Sequence, residues 1–270
     1  MLDYLLRMPD LYLFLLLSAI SIVGTIIVVT LIRRYVPLEL RYKDNPVIGN
    51  MSALISIIYG VLVGLTALYL INNISYTGDA VQREANSVAN LYRDSTWLKE
   101  PTKTRIQASI KNYLQEVINV EWPAMKSGQK INKDGDKIID GIGKELSYYS
   151  GMNTSELLIL HDMYETVRNL YDGRQQRIQM SYSELNPEIW EVILIGTILT
   201  IGINYLFGMN FYLHIVTVSA GALMAAAMLF LLLSLDRPFQ GDFVIESDSF
   251  QALLDTVNHD IADSSKAVHS

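Results

Sequence analysis

Residues 11–32, 47–71, 189–207 and 211–235 are apolar with little polar interruption, whereas residues 72–188 repeat apolar positions at three- and four-residue steps between charged ones. Each apolar stretch is 19 to 25 residues long. At about 1.5 Å of rise per residue, such lengths match a hydrocarbon core of about 30 Å. The pattern predicts an all-α membrane protein: four transmembrane helices with a helical extramembrane lobe between the second and the third. The expected domains are residues 1–71 (helices 1 and 2), 72–188 (lobe), 189–235 (helices 3 and 4) and 236–270 (C-terminal tail). The first stretch is too long for a cleaved signal core and has no basic segment ahead of it, so it is expected to remain as a membrane helix.

Within the lobe, Val81, Ala85, Val88 and Tyr92 carry the helical period on from the second span without a break, which predicts that this helix continues beyond the bilayer. Pro101 suits the first turn of a next helix with Ile106, Ile110, Leu114 and Val117 on one face. That helix is expected to end at Glu121-Trp122, because Pro123 follows. Residues 127–135, rich in Gly, Lys and Asp, read as a solvated turn. Asn132, Asp134 and Asp136 alternate as calcium-loop ligands do, but Lys137 stands where such a loop needs glycine and no closing glutamate follows. A longer helix is predicted from Asn153, with Glu156 completing a capping box, through Leu157, Leu160, Tyr164, Val167 and Tyr171.

Charge sharpens this division. The formal net charge is −7, yet residues 72–187 hold 14 Lys/Arg against 15 Asp/Glu, so the acidity belongs to the tail from Asp236, which is expected to be solvated. Arg33, Arg34, Arg41 and Lys43 lie in the short link between the first two spans, and the positive-inside rule would place that link in the cytoplasm and the lobe outside. The sequence has no cysteine, and His161, His214, His259 and His269 show no metal-ligand spacing. No nucleophile elbow, P-loop or dinucleotide fingerprint is found. These readings give no catalytic residue, metal or cofactor, no enzyme, and no nucleic-acid partner.

Few polar groups enter the spans. Glu191 is either a functional carboxylate or one that snorkels to the interface, and Asn204, near Thr197 and Thr200, reads as a helix-to-helix hydrogen bonder. Ser56, Gly60, Gly64 and Ala67 form a small-residue stripe on span two, and Gly221 and Ala225 a similar one on span four; both suit close helix packing, within the chain or between subunits. On the other side of span two lie Met51, Ile55, Ile58, Leu62, Leu65 and Tyr69. That stripe faces lipid, or else forms a constriction with Ile55, Ile58 and Leu62 as the narrow ring of an oligomeric pore.

The ordered set Asn50, Tyr59, Tyr76, Glu84-Ala85, Leu91-Tyr92-Arg93, Tyr113, Glu121-Trp122-Pro123, Arg174, Arg177, Pro187, Trp190 and residues 235–241, which read Leu-Asp-Arg-Pro-Phe-Gln-Gly, resembles the bestrophin-like membrane family. The resemblance implies a ring of subunits, commonly a pentamer, around a pore lined by span two that conducts small ions, typically anions. It also implies a cytosolic lobe and cytosolic termini, opposite to the loop-charge reading. The motif residues Glu84, Glu121, Trp122, Pro123, Arg174, Arg177, Asp236, Pro238, Phe239 and Gly241 are expected to be structural clamps, with Asp236 and Glu121 pairing with Arg93, Arg174 or Arg177. The leading functional expectation is therefore a homo-oligomeric ion channel, conducting anions, in a bacterial inner membrane. Its partners are further copies of itself, the lipid bilayer and small ions. The alternative is a membrane-anchored interaction or sensing protein without conduction; a secondary transporter ranks below both, because no inverted repeat is visible in the hydropathy.

Overall fold

The computed structural model describes residues 10–35, 37, 42–150, 153–240 and 245–268, and the described residues are helical with no strand among them. Helices α1 (Asp10–Tyr35), α2 (Asn45–Ser95), α7 (Pro187–Asn204) and α8 (Phe211–Leu235) are each long and apolar enough to cross a membrane. The chain forms two compact units. One holds Met1–Asn73 and Glu184–Arg237, the other Ile74–Ser183, Pro238–Gln240 and, after residue 243, the C-terminal segment. Helix α2 contributes to both, continuing unbroken past residue 71 as the periodicity predicts.

In the membrane unit, α1 packs chiefly against α8. Leu13 and Val29 are buried, and Phe14 meets Phe230 edge-on with ring centroids 5.4 Å apart. A second cluster joins Val63 and Leu70 of α2 to Leu185, Ile193 of α7 and Leu232 of α8. Side chains start both later helices: Asn186 accepts from the Glu188 N–H, with Pro187 in the first turn, and Asn210 accepts from the Tyr212 N–H. Their connection is held by two reciprocal bonds, Asn45 Nδ2 to the Gly208 carbonyl (2.8 Å) and the Gly208 N–H to Asn45 Oδ1 (2.9 Å). Arg33 donates to the Met209 carbonyl (2.7 Å) and lies over the Phe211 ring. This arginine of the basic link thus fastens the loop between α7 and α8. Tyr59 packs on Gly196, where a Cβ would come within 2.7 Å of its ring, and its hydroxyl meets Thr197 Oγ1 at 2.7 Å.

The lobe contains the second half of α2, α3 (Thr102–Glu116), a π-turn (Val117–Glu121), α4 (Trp122–Lys126), α5 (Asp134–Ser147), α6 (Thr154–Ser181) and α9 (Asp248–Val268). The expected helix end before Pro123 does not occur. The Trp122 N–H bonds to the Val117 carbonyl five residues back, and Pro123, which has no N–H to give, sits just after this wide turn without breaking the chain of helices. Helix α6 begins as predicted, with Asn153 and Glu156 in a complete capping box. Residues 127–133 form the expected solvated turn, and helix α5 begins at Asp134, in the last two positions of that stretch, and buries Ile139, Ile142 and Leu146. The acidic tail also differs from its expectation: as α9 it buries Phe250 and Val257 in the lobe core, so its acids line a helix whose other face is apolar.

Candidate functional site

On α2, the residues that pack inside the membrane unit are Ser52, Val63, Thr66 and Leu70, with Tyr59 half-buried beside them. The rest of the helix surface up to residue 71 is largely outward. Its small flank carries Ser56, Gly60 and Gly64, all exposed, with Ala67 half-buried; a Cβ placed on Gly60 or Gly64 meets nothing within 4 Å. The large flank carries Met51, Ile58 (62% exposed) and Leu65, while Ile55 and Leu62 are half-buried at the edge of the packed face. Span four behaves differently. Gly221 is open, but Ala222, Ala225 and Ala226 are buried, and α1 is the helix that packs most closely on α8. Asn204 does serve as a helix-to-helix bonder, accepting from Ser52 Oγ at 3.2 Å, while its Nδ2 donates to the Thr200 carbonyl.

In the lobe, four of the motif residues come together in a buried ion cluster. Arg174 and Arg177 are three residues apart and so share one face of α6. Arg177 donates through Nε and Nη2 to the two oxygens of Glu84 (2.7 and 2.9 Å), and through Nη2 to Glu121 Oε2 (2.5 Å). Arg174 donates through Nε and Nη2 to Glu121 Oε1 (2.9 and 2.7 Å) and pairs with Asp136. Glu84, Glu121, Arg174 and Arg177 have at most 1% of their surface exposed. Two carboxylates thus face two guanidiniums in a neutral core, and Asp136 joins from the rim, steadied by Gln175 Nε2 at 3.0 Å. Burial works against the arginine charges, but the adjoining carboxylates outweigh it and hold both guanidiniums above their ordinary range.

Tyr113 closes the cluster by donating to Glu84 Oε1 at 2.6 Å, and burial together with the Glu84 charge pushes its phenol well above the usual value. Two glycines make room. A Cβ on Gly173 would fall 3.1 Å from the Glu84 Cα, so α6 crosses α2 at close backbone approach. A Cβ on Gly135 would lie 2.5 Å from both Arg174 Nε and Glu121 Oε1. The aromatic motif residues form the wall: Trp122 meets Phe239 (5.6 Å between centroids) and Phe250 (5.7 Å), and the Arg177 guanidinium lies over the Trp122 ring. Pro238 is buried.

Asp236 plays another part. Expected among the arginine partners, it instead accepts from the Leu185 N–H (2.6 Å) and Trp190 Nε1 (3.1 Å), tying the end of α8 to the start of α7. A buried carboxylate is satisfied equally well by two N–H donors, and these lie next to it in the same unit. Arg93 bonds Asn90 on its own helix rather than an acid of the cluster. Gly241 lies outside the described residues. Asp136, Gly135 and Gly173 were not singled out from the sequence as cluster members; their only signal is adjacency to Arg174 or to a calcium-like spacing that turns out to serve an arginine. Among the described residues no group of acids or histidines is arranged to hold a metal.

A family model described as "Bestrophin-like domain" matches residues 13–250. Among solved structures, the crystal structure of a bacterial bestrophin homolog from Klebsiella pneumoniae, phased on zinc, is similar with a TM-score of 0.68 at 11% identity, covering 92% of this chain and 97% of that one. A single-substitution variant of a bestrophin homolog from the same organism gives a TM-score of 0.70 at 9% identity over 90% and 98%. A structure described only as a membrane protein gives 0.65 at 10% over 93% and 97%. At these identities the likeness is one of fold. None of the curated proteins compared matches the chain.

Proposed function

Because this chain belongs to the Bestrophin-like family, we propose that it is a homo-oligomeric channel for small ions, a closed ring with five subunits around a pore lined by α2. The observation that carries this reading is the outward surface of α2. Its small flank and its large flank both lack an intrachain partner at Gly60, Gly64 and Ile58, although the same helix is firmly packed at Ser52, Val63, Thr66 and Leu70. A ring uses both: the small flank admits a neighbouring subunit closely, and the large flank, with Ile55, Ile58 and Leu62, narrows the axis by excluding water. The lobe and termini are placed in the cytosol of a bacterium, with the spans in the inner membrane. Anions are the preferred cargo, since Arg34 and Lys43 remain exposed in the basic link and concentrate them at one mouth.

The test is flux through liposomes holding purified protein, wild type against an alanine triple substitution at Ile55, Ile58 and Leu62. The channel reading expects chloride flux in the wild type and faster flux in the variant. A lipid-facing stripe leaves flux unchanged. No passage of halide, sodium or potassium in either protein would favour the anchored interaction protein instead.

A further inference from the structure

The membrane unit contains a half-open cavity of about 430 Å³ between α1, α7 and α8, floored by Leu17, Leu185, Leu194, Leu229 and Leu233. Its volume is that of a ligand pocket, about 300–1,000 Å³. Such a floor offers water no hydrogen-bond partners, so the space suits hydrocarbon. Its rim is charged. Glu184 and Arg237 pair there at 3.1 Å, with the Glu184 side chain 56% and that of Arg237 20% exposed, and Glu191 stands exposed beside them. Trp190, whose indole is fixed by Asp236, lies at the same rim, the position that amphipathic rings take at headgroup level.

We propose that this cavity is a binding site for a phospholipid whose headgroup carries a primary ammonium, of the phosphatidylethanolamine type. Three carboxylates, Glu184, Glu191 and Asp236, line the cavity with one guanidinium, that of Arg237, which pairs with Glu184, and Asp236 already has its oxygens engaged by two N–H donors. An anionic headgroup alone would meet an acidic rim. A zwitterionic one places its ammonium on Glu184 and Glu191 and its phosphate on Arg237, while an acyl chain fills the leucine floor. This gives Glu191 a purpose that neither snorkelling nor a role in a pore supplies. The site stands independently of conduction.

Native mass spectrometry of the protein, reconstituted in vesicles of equal phosphatidylethanolamine and phosphatidylglycerol and re-extracted in mild detergent, tests it. The wild type should retain phosphatidylethanolamine in preference. The Glu184→Gln/Glu191→Gln variant, which removes both carboxylates from the ammonium, should lose that preference by at least about tenfold, the change that the loss of even one charge-assisted contact gives. Leu229→Trp, which fills the floor, should lose bound phospholipid of either kind; if it fails to fold, the exposed-residue variant decides. Equal retention of the two lipids by the wild type, or an unchanged ratio in the double variant, overturns the proposal.

Discussion

The two units solve the problem of burial in opposite ways. The lobe closes on itself: a continuous core from Val81 to Val257 surrounds charges that are fully paired. The membrane unit leaves Ile20, Ile57, Ile58, Leu65, Ile198 and Val216 more than half exposed, and its polar contacts are scattered neutral or N–H bonds, such as Tyr59 to Thr197 and Trp190 to Asp236, rather than a buried ion cluster. In water that surface would be a liability; in lipid it costs nothing, because the solvent is as apolar as the side chains. The lobe is therefore specified by internal complementarity, and the membrane unit chiefly by the apolarity of its surroundings.

The largest effect should come from removing one member of the ion cluster. Arg177→Met leaves Glu84 buried without a counter-charge and Glu121 with Arg174 alone, and should cost the lobe about 3–5 kcal/mol, measured by thermal unfolding followed by tryptophan fluorescence. Neutralising the acids as well, by Glu84→Gln and Glu121→Gln, should recover part of this loss. Tyr113→Phe removes a bond to a carboxylate and should cost about 1.5–3 kcal/mol at neutral pH. The gap between wild type and this variant should shrink above about pH 10, the ordinary phenol value. Since the Tyr113 phenol is raised in the fold, the unfolded wild type releases that proton first, and the stabilisation present at lower pH is lost as pH climbs.

Gly135→Ala should cost about 1–3 kcal/mol through overpacking against Arg174 and Glu121. Gly141→Ala in the same helix, where a Cβ meets nothing within 4 Å, should be neutral or stabilise by up to about 1 kcal/mol. If the two behave alike by differential scanning fluorimetry, the lobe is looser than its geometry. Last, Gly64→Leu in α2 should leave helicity and subunit melting almost unchanged, since the position is open within the chain, yet reduce the particle mass in detergent. A variant that keeps the wild-type mass would remove the small flank from the assembly interface.

What the sequence revealed follows the same division. The spans were legible because lipid imposes a length and an apolarity that no partner residue has to confirm. The start of α6 was legible because Asn153 and Glu156 are three residues apart and cap locally. The members of the ion cluster were legible but their pairing only in part: Glu84, Glu121, Arg174 and Arg177 were all marked by the family resemblance, but Glu84 lies 93 positions from Arg177, and no local pattern links such a pair. Helix α5 went unseen because Gly135, Gly141 and Gly143 argue against helix, although Ile138, Ile139, Ile142 and Leu146 keep its period. Helix α9 went unseen because its acids dominate the composition, while Phe250, Leu253, Leu254 and Val257 recur at helical steps beneath them. Tertiary partners supplied what intrinsic propensity and charge counting lacked.

The π-turn at Val117–Glu121 bears on how relatives should be compared. Counted at about 100° per residue, the buried side chains Ile106, Ile110, Tyr113 and Val117 mark one bearing on the helix, and Trp122 and Met125 return to that bearing only when one residue between is left out of the count. The turn therefore absorbs a surplus residue, with exposed Asn119 or Val120 the natural place for it. A relative with a regular helix here would be one residue shorter. Aligned without a gap at this point, its equivalents of Glu121 and Trp122 would be read one position off, and the carboxylate that joins the two arginines would be missed.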